Sequence, residues 1–247
     1  MILTLRKTRP KGDAPERLAY SPAMTVVIEM VSDLVCPWCW LGLRRIEAAR
    51  AMAPEVDVQL VFRPYELDPA IPAEGVDYKA YMASRVTSPE GKERMAMMRQ
   101  ALVDYGEAEG IPYRFDAITR RPNSFDAHRL VRWAQGQGKG AAAKEALFKA
   151  YFEDARDIGD HGVLVDVARQ IDLDAEIVAD LLKSGADIAA VREEAETFRQ
   201  MGISGVPTYI ANRRVAVQGA ESAEKLAKFI RHAASLLPQE RPAGPAT

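Results

Sequence analysis

Two cysteines separated by a proline and a tryptophan, Cys36 and Cys39, narrow the choice of folds more than any other part of this 247-residue chain, which has no further cysteine. An apolar run typical of a strand, residues 26–31, precedes them, and a helix-like run, residues 41–53, follows. Cys36 is therefore predicted at a helix N-terminus, where unpaired N–H groups and the helix dipole favour a thiolate. Pro37 suits the first turn of that helix. The spacing favours reactive thiols over a structural role.

Charge and composition argue against two classes of partner. The formal net charge is −2 and the pI is about 6.0, so neither a nucleic acid nor an anionic membrane is expected as a partner. Residues 1–23 are rich in charged side chains and lack the apolar stretch that a secretory signal needs. We therefore predict a cytoplasmic protein with a disordered extension over residues 1–23 and a disordered tail over residues 238–247. In a reducing cytoplasm such a cysteine pair is more often catalytic, redox-sensing or metal-binding than a structural disulfide.

Hydrophobic periodicity separates strand-rich from helix-rich parts of the chain. Residues 56–62 alternate as a strand does, and the following Arg63 and Pro64 are predicted to stop it. Helix formers dominate residues 78–200, with helices predicted over 78–91, 92–110 and 141–157 among others. Strand character returns at 208–210 and 215–217, before an amphipathic helix capped by Ser222. This order predicts an α/β fold in which residues 24–76 and 201–237 form a mixed sheet flanked by helices, with residues 77–200 as an inserted helical domain.

Three stretches of the chain carry a family pattern: residues 32–42 around the cysteines, residues 63–67 and residues 202–208. Together they resemble the DsbA family of thioredoxin-fold proteins, and most closely its FrnE-like cytoplasmic branch. A fourth stretch, residues 123–129, is similar to one found in 2-hydroxychromene-2-carboxylate isomerases and kappa-class glutathione transferases. The resemblance covers about residues 25–237. It implies a thioredoxin-like fold, β-α-β followed by β-β-α, with a large helical insertion.

The same resemblance implies a dithiol–disulfide oxidoreductase that needs no metal or other cofactor. Read from its chemistry, Cys36 is the attacking thiolate and Cys39 the thiol that resolves the mixed disulfide. Pro37 and Trp38 tune the reactivity of the pair. The resemblance implies that Cys36 is ionised and accessible at the surface and that Cys39 is buried.

The loop around Val206 and Pro207 is the second element that the resemblance assigns to the site. It implies a cis peptide bond between the two residues and a substrate that pairs with the backbone of Val206 as an extended strand. The expected substrates are protein or small-molecule disulfides and dithiols, with glutathione as an alternative co-substrate. Without the rest of the pattern, an ordinary turn proline would be favoured.

Four further side chains are candidates for the site, and each has a simpler interpretation. Glu29 resembles the buried acid that assists proton transfer to or from Cys39 in the family, but a strand glutamate also commonly faces solvent. His128 is a candidate proton shuttle or substrate contact, or a packed histidine. Asn123 either lines the substrate cleft or caps the helix that follows it. Trp40 either forms an apolar rim for a peptide or packs in the core.

Two other functions and one inert state also fit the cysteine pair. A glutathione-dependent isomerase or transferase would share residues 123–129, although such relatives usually carry serine at the position of Cys36. A metal-binding or redox-sensing module is the second, but a zinc ion would want two more ligands. The histidines lie in unrelated segments without metal spacing, at His128, His161 and His232. The inert state is a pair of buried, unreactive thiols.

Overall fold

The computed structural model describes residues 25–238, which contain six strands and nine α-helices. The strands are β1 (Val26–Ser32), β2 (Val58–Pro64), β3 (Val76–Asp77), β4 (Arg120–Arg121), β5 (Thr208–Ala211) and β6 (Val215–Gln218). The helices are α1 (Pro37–Met52), α2 (Tyr78–Arg85), α3 (Pro89–Glu109), α4 (Phe125–Gly136), α5 (Gly140–Phe148), α6 (His161–Gln170), α7 (Ala175–Lys183), α8 (Ile188–Gln200) and α9 (Ala223–Ser235). The predicted extension over 1–23 lies outside the described residues, as does the predicted tail beyond its first residue.

The main sheet has the strand order β2-β1-β5-β6. Strand β1 runs parallel to β2 and antiparallel to β5, and β5 runs antiparallel to β6. Helix α1 makes the β-α-β crossover from β1 to β2, α9 follows the β5-β6 hairpin, and α2 to α8 all lie between β2 and β5. The predicted thioredoxin-like α/β fold is confirmed.

Alternation along β1 divides the buried residues between the two faces of the sheet. Ile28 and Met30 are fully buried in the main core together with residues of α1 and α9. Val31 points to the other face, where it packs with Phe198 of α8 in a smaller cluster. The cysteines and their surroundings belong to the main core, so the first face is the one that positions the site.

Several predicted boundaries were wrong, among them the end of the helix predicted over 78–91, which ends at Arg85. Three others have a local reason. Helix α3 begins at Pro89 rather than at residue 92, because the Ser88 hydroxyl accepts a hydrogen bond from the Gly91 N–H and proline fits the first turn. Strand β2 continues through Pro64, because it lies at the edge of the sheet, where a missing N–H is tolerated. The helix predicted over 141–157 ends as an α-helix at residue 148 and continues as one π-helical turn, Lys149–Glu153.

Candidate active site

The two cysteines lie at the start of α1, as the sequence predicts. Cys36 is the N-cap residue, with extended backbone angles, and Pro37 occupies the first turn. The Cys39 N–H donates a hydrogen bond to the Cys36 carbonyl oxygen at 3.0 Å, which keeps the two residues within one tight turn. Both thiols are free. The N-terminal end of the helix therefore directs its N–H groups and positive dipole end toward the pair.

Cys36 is less accessible than expected. Only 5% of the residue is exposed, whereas the resemblance implied a thiol at the surface. Its Sγ lies 3.8 Å from the carbonyl oxygen of Val206, so the loop before Pro207 covers the sulfur. The peptide bond between Val206 and Pro207 is cis. The predicted loop and the cysteine thus meet in space although 170 residues separate them.

Gly42 allows this loop to approach α1. A Cβ atom at this position would lie 2.8 Å from the Pro207 ring and would also collide with the hydroxyl of Tyr209. Because such contacts are closer than real Cβ atoms make, a larger residue would push the loop away from the helix. The glycine, one turn beyond the cysteines, is therefore needed for the site to close.

Cys39 is fully buried, as predicted. Burial raises its pKa well above the ordinary value for a thiol, and the hydrogen bond and charge of Cys36 raise it further. The positive charge of Lys144 acts in the opposite direction. Cys39 is therefore a neutral thiol at neutral pH, which leaves Cys36 as the thiol suited to attack.

The tryptophans of the motif have different surroundings. Trp40 is fully buried and stacks on Phe148 at 6.1 Å between ring centroids, and its Nε1–H donates a hydrogen bond to Glu145. It is a core residue, so the prediction of a substrate-binding rim was wrong for this position. Trp38 is partly exposed and meets the ring of Tyr105 edge-on at 6.3 Å. Of the two, only Trp38 can offer an apolar surface beside the cysteines.

The redox loop, residues 33–36 between β1 and α1, contains a buried acid that lies against a histidine of α4. Asp33 accepts a hydrogen bond from the Leu67 N–H at 2.7 Å, and its Oδ1 is 3.5 Å from Nε2 of His128. Burial opposes ionisation of Asp33, but the hydrogen bond and charge of His128, together with the charge of Arg121, hold its pKa below the usual value. His128 is itself buried, and its Nε2 lies 3.1 Å from the Tyr65 carbonyl. This placement matches the packed histidine rather than a substrate contact.

Glu29 is buried and paired on the other face of the sheet. Its carboxylate lies 2.6 Å from the Arg63 guanidinium and 3.4 Å from that of Arg213. It alternates with Ile28 and Met30, which belong to the core that contains Cys39. The expectation of a buried acid is met, whereas its role in proton transfer stays a prediction.

Asn123 holds two segments together. Its Nδ2–H donates to the Ile71 carbonyl at 2.7 Å, and its Oδ1 accepts from the Phe125 N–H at the start of α4. It therefore stabilises the turn that leads into α4, whose N-cap residue is Ser124, and it also lines an open cleft of about 770 Å³ whose wall includes Arg192 and Arg199. Neither cysteine lines this cleft.

No group of three or more potential metal ligands occurs within residues 25–238, and no helix in that range is long and apolar enough to cross a membrane.

A family model described as the DSBA-like thioredoxin domain matches residues 27–231. The chain belongs to this family. Membership in the DSBA-like family places the protein among thiol–disulfide oxidoreductases and isomerases and indicates thiol or disulfide substrates.

Individual proteins are similar to this chain at different levels of sequence identity. The probable DsbA oxidoreductase SCO1869 from Streptomyces coelicolor is 30% identical to this DSBA-like protein, with a TM-score of 0.77 over 89% of this chain and 94% of that one. The uncharacterized protein YwbO of Bacillus subtilis (strain 168) is 26% identical over 208 residues, which are 84% of this chain and 96% of YwbO. The cytosolic disulfide reductase DsbM from Pseudomonas aeruginosa with GSH shares the fold at 18% identity and a TM-score of 0.59, over 85% and 100% of the two chains.

Two side chains of this DSBA-like site could not be identified from the sequence. Lys144 of α5 is 1% exposed, and its Nζ donates a hydrogen bond to the Ser32 hydroxyl at 2.7 Å. Tyr209 of β5 is fully buried, and its hydroxyl has no hydrogen-bond partner among the described residues. Burial raises the pKa of Tyr209, and a negative charge on Cys39 would raise it further. No local signal marks a helix lysine or a strand tyrosine as part of a site, because such residues more often face solvent or pack in the core.

Proposed function

We propose that the protein is a dithiol–disulfide oxidoreductase that works through Cys36 as nucleophile and Cys39 as resolving thiol. The observation that carries the proposal is the placement of both free thiols in one turn at the N-terminus of α1, with the first against the Val206 carbonyl. Helix N-termini favour thiolates, and a buried second thiol one turn away is close enough to close an intramolecular disulfide.

The chemistry needs no cofactor because the two sulfurs exchange electrons with the substrate. The Cys36 thiolate attacks a substrate disulfide, so one S–S bond forms as another breaks and a substrate thiolate leaves. Cys39 then loses its proton and attacks the Cys36 sulfur, which releases the second substrate thiolate. The substrate gains two electrons and one proton from the protein, and the second substrate thiolate takes its proton from solvent, which received one when Cys36 ionised. The protein thiolate and thiol become a disulfide. The reverse sequence oxidises a substrate dithiol.

The covering loop supports an extended substrate. The Val206 carbonyl contacts the Cys36 thiol and can accept an N–H from a bound peptide once the sulfur engages a disulfide. Because the loop leaves little of Cys36 exposed, the proposed substrates are an exposed cystine in a flexible chain or a small disulfide. Glutathione is the proposed small co-substrate and the cytoplasm the proposed compartment. Both proposals are supported by the shared fold of DsbM from Pseudomonas aeruginosa, a cytosolic disulfide reductase whose structure was solved with GSH.

A redox titration tests the proposal. The protein is equilibrated in glutathione buffers of graded ratio, quenched with an alkylating reagent and weighed intact. Reversible loss of both thiols together is expected, and its midpoint reports the potential of the pair. Cys36→Ser is the matched control and should lose all disulfide exchange. A pair that stays reduced throughout, or that ends as a stable single glutathione adduct, would replace this function with a glutathione-dependent isomerase or transferase or a metal-binding module.

A further inference from the structure

Lys144 is a buried cation that forms no ion pair with a carboxylate in the part of the chain that the structure describes. Its ammonium has three N–H donors, and the structure gives it one hydrogen bond, to Ser32, and no carboxylate within 4.0 Å among residues 25–238. Asp33, the acid of the redox loop, already pairs with His128 and the Leu67 N–H. Within residues 25–238, no carboxylate forms a direct ion pair with Lys144, although the charge of Asp33 acts on it from farther away.

The sequence of α5 fixes where this charge lies. Gly140 packs directly on Phe62, where an added Cβ would be only 3.0 Å from the ring, so the helix comes unusually close to β2. One turn later on the same face, the Lys144 Nζ lies 6.0 Å from the centre of the Phe62 ring and 5.1 Å from that of Phe148. Ser32, the hydrogen-bond partner, ends β1 four residues before Cys36. The charge is therefore held under the redox loop in a low-dielectric environment.

Among the charged groups around Lys144, the cysteines are the ones that change state during exchange. The charges that act on it come from Cys39, Asp33 and Cys36. A cavity of about 20 Å³ beside it is also lined by charged or titratable residues of β2, α4 and α8, namely Arg63, His128, Arg132 and Glu194. Glu194 is already paired with Arg63 and Arg132. A negative charge that forms on Cys39 is thus stabilised by the Lys144 ammonium, which forms no direct ion pair with a carboxylate of residues 25–238.

We propose that Lys144 is a positioning residue for the resolving step, in which its buried positive charge stabilises the Cys39 thiolate as that sulfur attacks Cys36. The proposal rests on the proposed function. In this step the Cys39 proton passes to the substrate thiolate released by the first attack, one S–S bond to the substrate breaks, and the Cys36–Cys39 bond forms. Lys144 keeps its own proton and makes no covalent bond.

The direct test isolates Cys39. In a Cys36→Ser background the pKa of the remaining thiol is followed by ¹³Cβ NMR as a function of pH, with and without Lys144→Met. We expect the pKa of Cys39 to be higher by at least about one unit without Lys144, which is a tenfold smaller thiolate fraction at a given pH. Lys149→Met is the matched control, because it removes one positive charge from a side chain that is 44% exposed, and it should leave the Cys39 titration unchanged.

A second variant separates charge from hydrogen bonding. Lys144→Gln keeps a donor for Ser32 without a charge, and it also serves if the methionine variant does not fold. In the two-cysteine protein, either variant should lengthen the life of the mixed disulfide with glutathione at Cys36 by several-fold to tenfold, measured by rapid quench and intact mass. A purely structural role for Lys144 would not move the Cys39 pKa.

The outcomes for the two proposals can be told apart. Absence of a reversible disulfide in the native protein would overturn the proposed function, whereas the NMR titration would still report on Lys144. A normal redox couple together with an unchanged Cys39 pKa in both Lys144 variants would overturn the role of Lys144 alone. A pKa that rises in the Gln and Met variants but not in the Lys149 control supports it.

Discussion

Replacing Lys144 by methionine should change how the stability of the protein responds to pH. Burial lowers the pKa of this ammonium from 10.5 to about 8, although a negative charge on Cys39, when it ionises, and the charge of Asp33 favour protonation. At about 1.4 kcal/mol for each tenfold change in proton affinity, holding the charge in the folded state costs about 3 kcal/mol. Methionine has a similar length and no charge, and the neighbouring Phe62 and Phe148 rings suit a thioether. The variant therefore avoids this penalty.

The penalty from Lys144 depends on pH in a defined direction. Below about pH 8 the folded and the unfolded chain both hold the proton, so the whole penalty is present. Between about pH 8 and 10.5 the unfolded lysine keeps its proton while the folded one has lost it, so the free energy of unfolding rises with pH. By about pH 9.5 roughly 2 kcal/mol has been recovered. The methionine variant lacks this rise, so its advantage over the native protein should shrink by about 2 kcal/mol between pH 7 and pH 9.5.

Urea denaturation of the reduced proteins, followed by tryptophan fluorescence, measures this difference. Groups that titrate alike in both proteins cancel in the comparison, and Cys39, whose pKa burial raises well above the ordinary thiol value, stays protonated in both folded proteins over this pH range. Lys149→Met is again the control, because this lysine is partly exposed and its substitution should show no pH-dependent change beyond a few tenths of a kcal/mol. If the difference between native protein and Lys144→Met were the same at both pH values, within about 0.5 kcal/mol, the reasoning about a buried ammonium would be refuted.

Three other substitutions test the site and its supports. Arg63→Ala leaves the buried Glu29 carboxylate without its nearest cation and should lower the free energy of unfolding by about 3 kcal/mol in urea, and a loss below about 1 kcal/mol would contradict the buried pair. Gly42→Ala sets a methyl group against a proline ring and should lower stability by about 1–3 kcal/mol and slow disulfide exchange, whereas Gly136→Ala, which has open space, should do neither. Cys39→Ser should accumulate mixed disulfides by intact mass, and rapid turnover would rule out its resolving role.

The redox loop could be predicted from sequence because its signals are local. Apolar alternation identifies β1, and the spacing of Cys36 and Cys39 before a helix-like run places the thiols at the start of α1. The start of α9 follows from Ser222, which accepts a hydrogen bond from the Lys225 N–H as an N-cap residue should. In each case the deciding contact lies within a few residues along the chain.

The solvent accessibility of the side chains in the motif could not be predicted, because it depends on residues that are distant in sequence. Trp38 and Trp40 stand two positions apart with the same composition around them, yet one is partly exposed and the other stacks on Phe148 of α5. The cover over Cys36 comes from Val206, which is 170 residues away. Hydrophobicity identifies such side chains as apolar, whereas only the packing of the inserted helices and the returning strand decides which of them are covered.

The charged residues around the redox loop also come from segments that are distant in sequence, and they affect the chemistry of the cysteines. Asp33 belongs to the loop itself, but His128 comes from α4 and Lys144 from α5, 112 residues after the serine that it contacts. These helices are part of the insertion, so the proton affinity of Cys39 depends on segments that the cysteine motif does not include. Two relatives with the same four-residue motif can therefore differ in the potential of the pair and in the direction of exchange, since about 30 mV corresponds to a tenfold change in the equilibrium. For this chain, the motif alone does not determine whether the pair oxidises or reduces its substrate. The buried charges around Cys39 contribute to that direction, and variants of these charged residues measure their contribution.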